Sequence, residues 1–194
     1  MPEAPAMIRA LLLALAWLLA MPDPAPAQSP REAARAAELD RLFAALQAAE
    51  DSGGAQILEA RIRSLWAQAV SPAAALLLRR GQRNLQAEEV AEALEDFDAA
   101  LVLEPEAAEA WLMRAQANAR QGDRIAAARD LQAALRLEPR HFGALLQLSG
   151  LQEEAGDFRG ALRSLDAVLA LHPKLAGGPE RRRELLRRAE GDAL

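Results

Sequence analysis

Three prolines stand at equal intervals along this chain: Pro105, Pro139 and Pro173, each 34 residues from the last. Each closes a tripeptide of one shape, Leu103-Glu-Pro105, Leu137-Glu-Pro139 and Leu171-His-Pro173. A period of this length suits one helix–turn–helix unit, too small to bury its apolar face alone and so obliged to stack on copies of itself. Aligned on the prolines, blocks 74–107, 108–141 and 142–175 agree column by column. Ala93, Ala127 and Ala161 share one position, Phe97, Leu131 and Leu165 another, and Leu101, Leu135 and Leu169 a third.

Each column has a physical role. A small alanine lets the two helices of a unit approach where a larger side chain would hold them apart. Val90, Leu94, Phe97 and Leu101 step by helical spacing, as do Phe158, Leu162, Leu165 and Leu169, so each set forms one apolar stripe. Gly122 and Gly156 suit a left-handed helix end, and Asp123 and Asp157 then cap the next helix. Each proline closes the second helix because it cannot continue the hydrogen-bond ladder. Ala, Leu, Arg and Glu dominate, Tyr is absent and β-branched residues are scarce, so the composition favours helix almost throughout.

These features resemble the tetratricopeptide-repeat family over residues 74–175. Its first-helix pattern, Trp-x-x-Leu-Gly-x-x-Tyr, is matched in part by Trp111 with Arg114 and Ala115, by Leu77-x-x-Arg80-Gly81 and by Leu145-x-x-Leu148-Ser149. The departures are Asn84, Asn118 and Gln152, which stand at the Tyr position and imply packing with fewer aromatics. The resemblance implies an all-α fold, a right-handed solenoid of about nine antiparallel helices. Its first helices would line a concave groove for a protein or peptide partner. The groove positions fall on Ala75, Leu78, Gln82, Leu85 and Gln86 in the first block, then Glu109, Leu112, Gln116, Ala119 and Arg120 in the second. In the third they fall on Gly143, Leu146, Gly150, Glu153 and Glu154. Leu78, Leu112 and Leu146 either present a leucine line to an amphipathic helix or extended peptide or are buried between neighbouring repeats. The Lys/Asn set with which some members clamp a C-terminal carboxylate is missing.

Residues 28–73 read as N-terminal helices with a degenerate fourth copy. Ala60 and Pro72 each lie 33 residues before Ala93 and Pro105, and Trp66 is the large anchor of the second helix. Residues 176–194 read as a C-terminal capping helix, in which Leu185 and Leu186 pack and Arg181, Arg182, Arg183, Arg187 and Arg188 face water.

The first 27 residues set the expected compartment. Arg9 precedes an uncharged apolar run, Ala10 to Met21, that at about a dozen residues falls short of the roughly 20 of a membrane span. Proline-rich Pro22 to Ala27 follows and ends in small-x-small, the pattern of a secretory signal peptide cut after Ala27, with the start at Met1 or Met7. The expected location is the bacterial periplasm, with no membrane association after cleavage; an uncleaved anchor is the alternative. The chain has no cysteine, so thiol chemistry, Cys-ligated metal and lipid attachment at a leader cysteine are excluded. The full chain carries −5; removing Glu3, Arg9 and Asp23, a net −1, leaves −4, which gives no support for nucleic-acid binding.

No catalytic or metal constellation emerges, and no cofactor or small-molecule substrate is expected. His141 and His172 lie beside repeat boundaries without a His-Glu-x-x-His pair, and read as polar turn residues. No serine sits in a Gly-x-Ser-x-Gly elbow, and Gly53-Gly54 and Gly177-Gly178 lack the Lys-Ser/Thr of a phosphate loop. The function expected is a non-catalytic interaction scaffold of the envelope. The alternative is an accessory or structural subunit of a cell-wall or secretion complex, assembling through the convex face.

Overall fold

The computed structural model describes residues 29–191, and the expected signal peptide lies outside them. Among the described residues the structure is helical throughout: α1 Pro30–Gln47, α2 Ser52–Ala67, α3 Pro72–Gln86, α4 Val90–Leu103, α5 Ala108–Gln121, α6 Arg124–Leu137, α7 Phe142–Glu154, α8 Phe158–Leu171 and α9 Gly178–Gly191. None of these helices is long and apolar enough to cross a membrane. The start of α1 carries a reciprocal cap: Glu32 N–H donates to Ser29 Oγ at 3.3 Å, and Ser29 N–H donates to the Glu32 carboxylate at 2.6 Å. The bond from the Ser29 N–H, more than any other contact, holds the Glu32 carboxyl below its ordinary pKa. The compact unit that carries the repeats begins at Ala36, inside α1.

The three repeats are the helix pairs α3–α4, α5–α6 and α7–α8, joined by the packing of α4 on α5 and of α6 on α7. The aligned columns form the core. Ala93, Ala127 and Ala161 are fully buried, as are Phe97, Leu131 and Leu165. The helices approach closely at Gly81, where a Cβ would come within 2.6 Å of the Phe97 ring. The turns repeat the same chemistry in two units. Gly122 and Gly156 adopt φ of 89° and 80°, and Asp123 and Asp157 accept from Ala126 N–H and Gly160 N–H at 2.9 and 2.8 Å. In repeat one the equivalent turn has Glu88 in the left-handed region (φ 65°), and Glu89 caps α4 with no side-chain bond.

Helix α9 extends the array by half a unit. It packs on α8, and Leu185, 34 residues after Leu151, is fully buried against Ala161 and Leu165. Its arginines are not simply solvated, as the sequence suggests. Arg181 and Arg188 converge on Glu153 of α7 at 3.1 and 2.8 Å, and Arg182 donates to Asp166 of α8 at 2.6 Å. An Arg–carboxylate bond to the neighbouring helix fixes the orientation of a cap that a water-facing arginine would leave free.

Helices α1 and α2 form an antiparallel hairpin, tied by Arg61 to Glu38 at 2.6 Å and by the Phe43–Trp66 ring contact. The hairpin lies over the third repeat instead of continuing the stack ahead of α3. Phe43 and Trp66 both meet Phe142 of α7, and Asp40 pairs with Arg140 at 2.7 Å across 100 residues of sequence. The large aromatics of this segment find an apolar surface on α7 and α8, where Leu145, Leu146, Val168 and Leu171 join the same core.

Candidate functional site

The face formed by the first helices α3, α5 and α7 divides into an open part and a covered part. The open part is a cavity of about 360 Å³ between α3 and α5, closed at one side by Ala67 and Val70 at the end of the hairpin. Ala75, Leu78 and Met113 supply apolar lining; Arg79, Gln82, Arg83, Gln86 and Glu109 supply polar groups. Arg79 and Arg83 are exposed, one helical turn apart on α3. The covered part lies under α1–α2, on Phe142, Leu145 and Leu146 of α7 and on Val168 and Leu171 of α8.

The nine expected groove residues therefore separate. Leu78, Gln82 and Glu109 line the cavity. Leu78, only 5% exposed, belongs chiefly to the core between α3, α4 and α5, and Leu112, 4% exposed, packs between α5 and α7 near Gly143. For these two leucines the inter-repeat alternative describes the geometry. Leu85 is buried with them, and Gln116 is half-buried outside the cavity lining. Arg120 donates to the Leu85 carbonyl at 2.9 Å, completing the C-terminal turn of α3. Leu146 lies between the hairpin core and the core under α9, and Glu153 is held by Arg181 and Arg188. The groove at repeat three is thus filled from inside the chain.

Beneath this face run two polar triads, each built on a buried aspartate. Arg80 and Asn84 of α3 both donate to Asp96 of α4, the Asn84 bond at 3.0 Å. Arg114 and Asn118 of α5 donate to Asp130 of α6, Arg114 by two bonds of 2.9 and 2.7 Å and Asn118 by one of 2.9 Å. Arg114 reaches back to Asp98 of α4 as well, at 2.7 Å, and so clamps repeat two to repeat one. Its two carboxylate partners hold the Arg114 guanidinium protonated well above its ordinary value, Asp130 contributing most. In repeat three the same columns hold Leu148, Gln152 and Ser164, and only a 2.7 Å contact between the Gln152 amide and the Ser164 hydroxyl remains. The asparagines that occupy the tyrosine position are thus members of a polar network. Their signal was present as Arg, Asn and Asp recurring together at a 34-residue interval.

Both histidines stand in the turns between helices, His141 before α7 and His172 after α8, and both are buried. His141 and His172 are both 2% exposed. His141 stacks on Trp66 with ring centroids 4.1 Å apart, and its Nε2 lies 3.0 Å from Glu109. His172 Nε2 lies 3.2 Å from Glu59 of the hairpin. Neither histidine belongs to a group of three metal-ligating side chains among the described residues.

No protein-family model and no curated protein matches the sequence, whereas solved structures match its fold. The first TPR domain of Spaghetti (RPAP3), bound to an HSP90 peptide, superposes at a TM-score of 0.57 with 18% identity, covering 61% of this chain and 94% of that domain. The Sgt2 TPR domain of Aspergillus fumigatus gives 0.57 with 20% identity, over 64% of this chain and 86% of its own. The Yersinia enterocolitica type III secretion chaperone SycD, in complex with a peptide of the translocator YopD, gives 0.54 with 14% identity, over 63% and 94%. The repeat period, the helix pairing and these likenesses together establish an α-helical repeat solenoid of the tetratricopeptide kind.

Proposed function

We propose that this chain is a non-catalytic scaffold of the bacterial cell envelope that holds a segment of a partner protein in the open cavity between α3 and α5. The observation that carries the reading is the cavity itself. It lies on the first-helix face, it has apolar lining from Val70, Leu78 and Met113, and exposed Arg79 and Gln86 stand at its edge. An apolar pocket with a few polar groups at its rim suits an anchoring side chain and the backbone beside it. The peptide-bound SycD and RPAP3 structures support a binding role for this fold, and the pattern of residues 1–27 supports the envelope setting.

The test substitutes the open side of the cavity, since Leu78 and Leu112 are buried and a charge there would disrupt the stack. Full-length protein and its Ala75→Trp variant are immobilised and exposed to an envelope extract. The reading expects a specific protein retained by the wild type and lost by Ala75→Trp, with the two far-ultraviolet circular dichroism spectra superimposable. Identical retained sets would move binding elsewhere. The exposed Val102 and Ile125 on the second helices α4 and α6 would then favour assembly through the opposite face.

A further inference from the structure

We infer that the α1–α2 hairpin is a displaceable internal occupant of the first-helix face, and that a partner helix bearing two aromatic residues replaces it over repeat three. The inference rests on the reading of that face as a protein-binding surface and names the regulation and the ligand class of its covered half.

Four observations carry it. The hairpin meets the array as a bound helical ligand would: Phe43 and Trp66 flank Phe142 at centroid distances of 6.4 and 5.1 Å, backed by Leu39, Leu46 and Ile62. Next, the cores of the repeats do not use it. The clusters around Phe97, Leu131 and Leu165 draw no residue from α1 or α2, so the hairpin can leave with those three cores intact, opening the core around Phe142 and the Ala67 side of the cavity. A four-residue link, Gln68 to Ser71, joins it to α3, and Gln68 and Ala69 are exposed.

The last observation concerns polar atoms. Among the described residues four buried side-chain polar atoms lack a hydrogen-bond partner, and three of them lie on this one seam: Trp66 Nε1, His141 Nδ1 and His172 Nδ1. A buried donor or acceptor without a partner weakens the surface that hides it, because it gives up its bonds to water on docking. The polar links across the seam are few: exposed Asp40 pairs with half-buried Arg140, Glu59 lies 3.2 Å from His172 Nε2, and Gln47 reaches the Ala170 carbonyl at 3.2 Å. The aromatic contacts therefore specify the occupant, and the unpaired atoms keep its hold loose. A partner helix that supplies the aromatics together with hydrogen-bond partners for the two histidine Nδ1 atoms displaces it.

The experiment uses the full chain and, as probe, a fluorescein-labelled synthetic peptide of this chain's own residues 36–69, read by fluorescence anisotropy. Trp66→Ala, which weakens the internal occupant, is expected to bind the probe at least tenfold more tightly than the wild type. Adding Phe142→Ala should abolish that binding. Because the chain has no cysteine, Asp40→Cys with Arg140→Cys can be joined by a bismaleimide to lock the hairpin in place, which should weaken probe binding at least tenfold against the unlinked form. Hydrogen exchange on the unmodified protein gives a readout that needs no variant: amides of α1–α2 should exchange at least tenfold faster than those of α5–α6. Equal exchange in the two regions, or probe binding indifferent to the lock, overturns the inference. If the probe is indifferent to the lock but blocked by Ala75→Trp, it sits in the open cavity; the scaffold reading then survives and the displaceable hairpin does not.

Discussion

Repeats one and two solve the contact between their helices differently from repeat three. In the first two, an aspartate is buried at the helix pair and neutralised by an arginine and an asparagine from the partner helix. In the third, leucine, glutamine and serine stand in the same columns, and the charge is absent. All three members change together. An aspartate without its arginine would be an uncompensated buried charge, and an arginine without its aspartate would lose its anchor. The difference shows that the triad is one unit of design and that this fold tolerates it or its absence as a whole. It also falls where the array changes duty, since repeat three receives the hairpin and α9.

The comparison can be broken most severely at Asp130. Asp130→Ala leaves Asn118 without its acceptor and Arg114 with Asp98 alone, and should cost about 3 kcal/mol, read as a lower urea midpoint. Ser164→Asp places a carboxylate in repeat three without its arginine and should cost about 2–3 kcal/mol. Adding Leu148→Arg should return most of that loss, and failure of the second change to rescue the first would show that the triad is not transferable. Asn118→Ala removes one bond to Asp130 and should cost about 1–2 kcal/mol in the same measurement. The smallest effect concerns the turns. Glu88→Gly relieves a left-handed backbone that repeats two and three already give to Gly122 and Gly156, and should stabilise by about 0.5 kcal/mol.

The period, the helix pairs and the turn residues were legible because each rests on neighbours in sequence: a proline closes a helix, a glycine turns it, an aspartate caps the next. The triads were written in the sequence as well. They were missed because the asparagine column was compared with the tyrosine of a family pattern and not with the Arg and Asp columns at its own spacing. The place of the hairpin was not legible. Its decisive contacts, Asp40 with Arg140 and Glu59 with His172, join residues 100 and 113 apart, and no local pattern states which surface an amphipathic pair will cover. The groove residues of repeat three share that cause, since Leu146 and Glu153 are consumed by segments from opposite ends of the chain.

Helix α9 repeats the register of a first helix, and its outer side carries Arg183, Glu184, Arg187 and Glu190, all exposed. A stack of like units has ends that fit one another, and nothing intrinsic to the repeat stops copies from joining head to tail into a fibre. The mixed-charge outer face of α9 offers a second copy no apolar surface to stack on. Helix α9 thereby shields that side of the third repeat from such stacking.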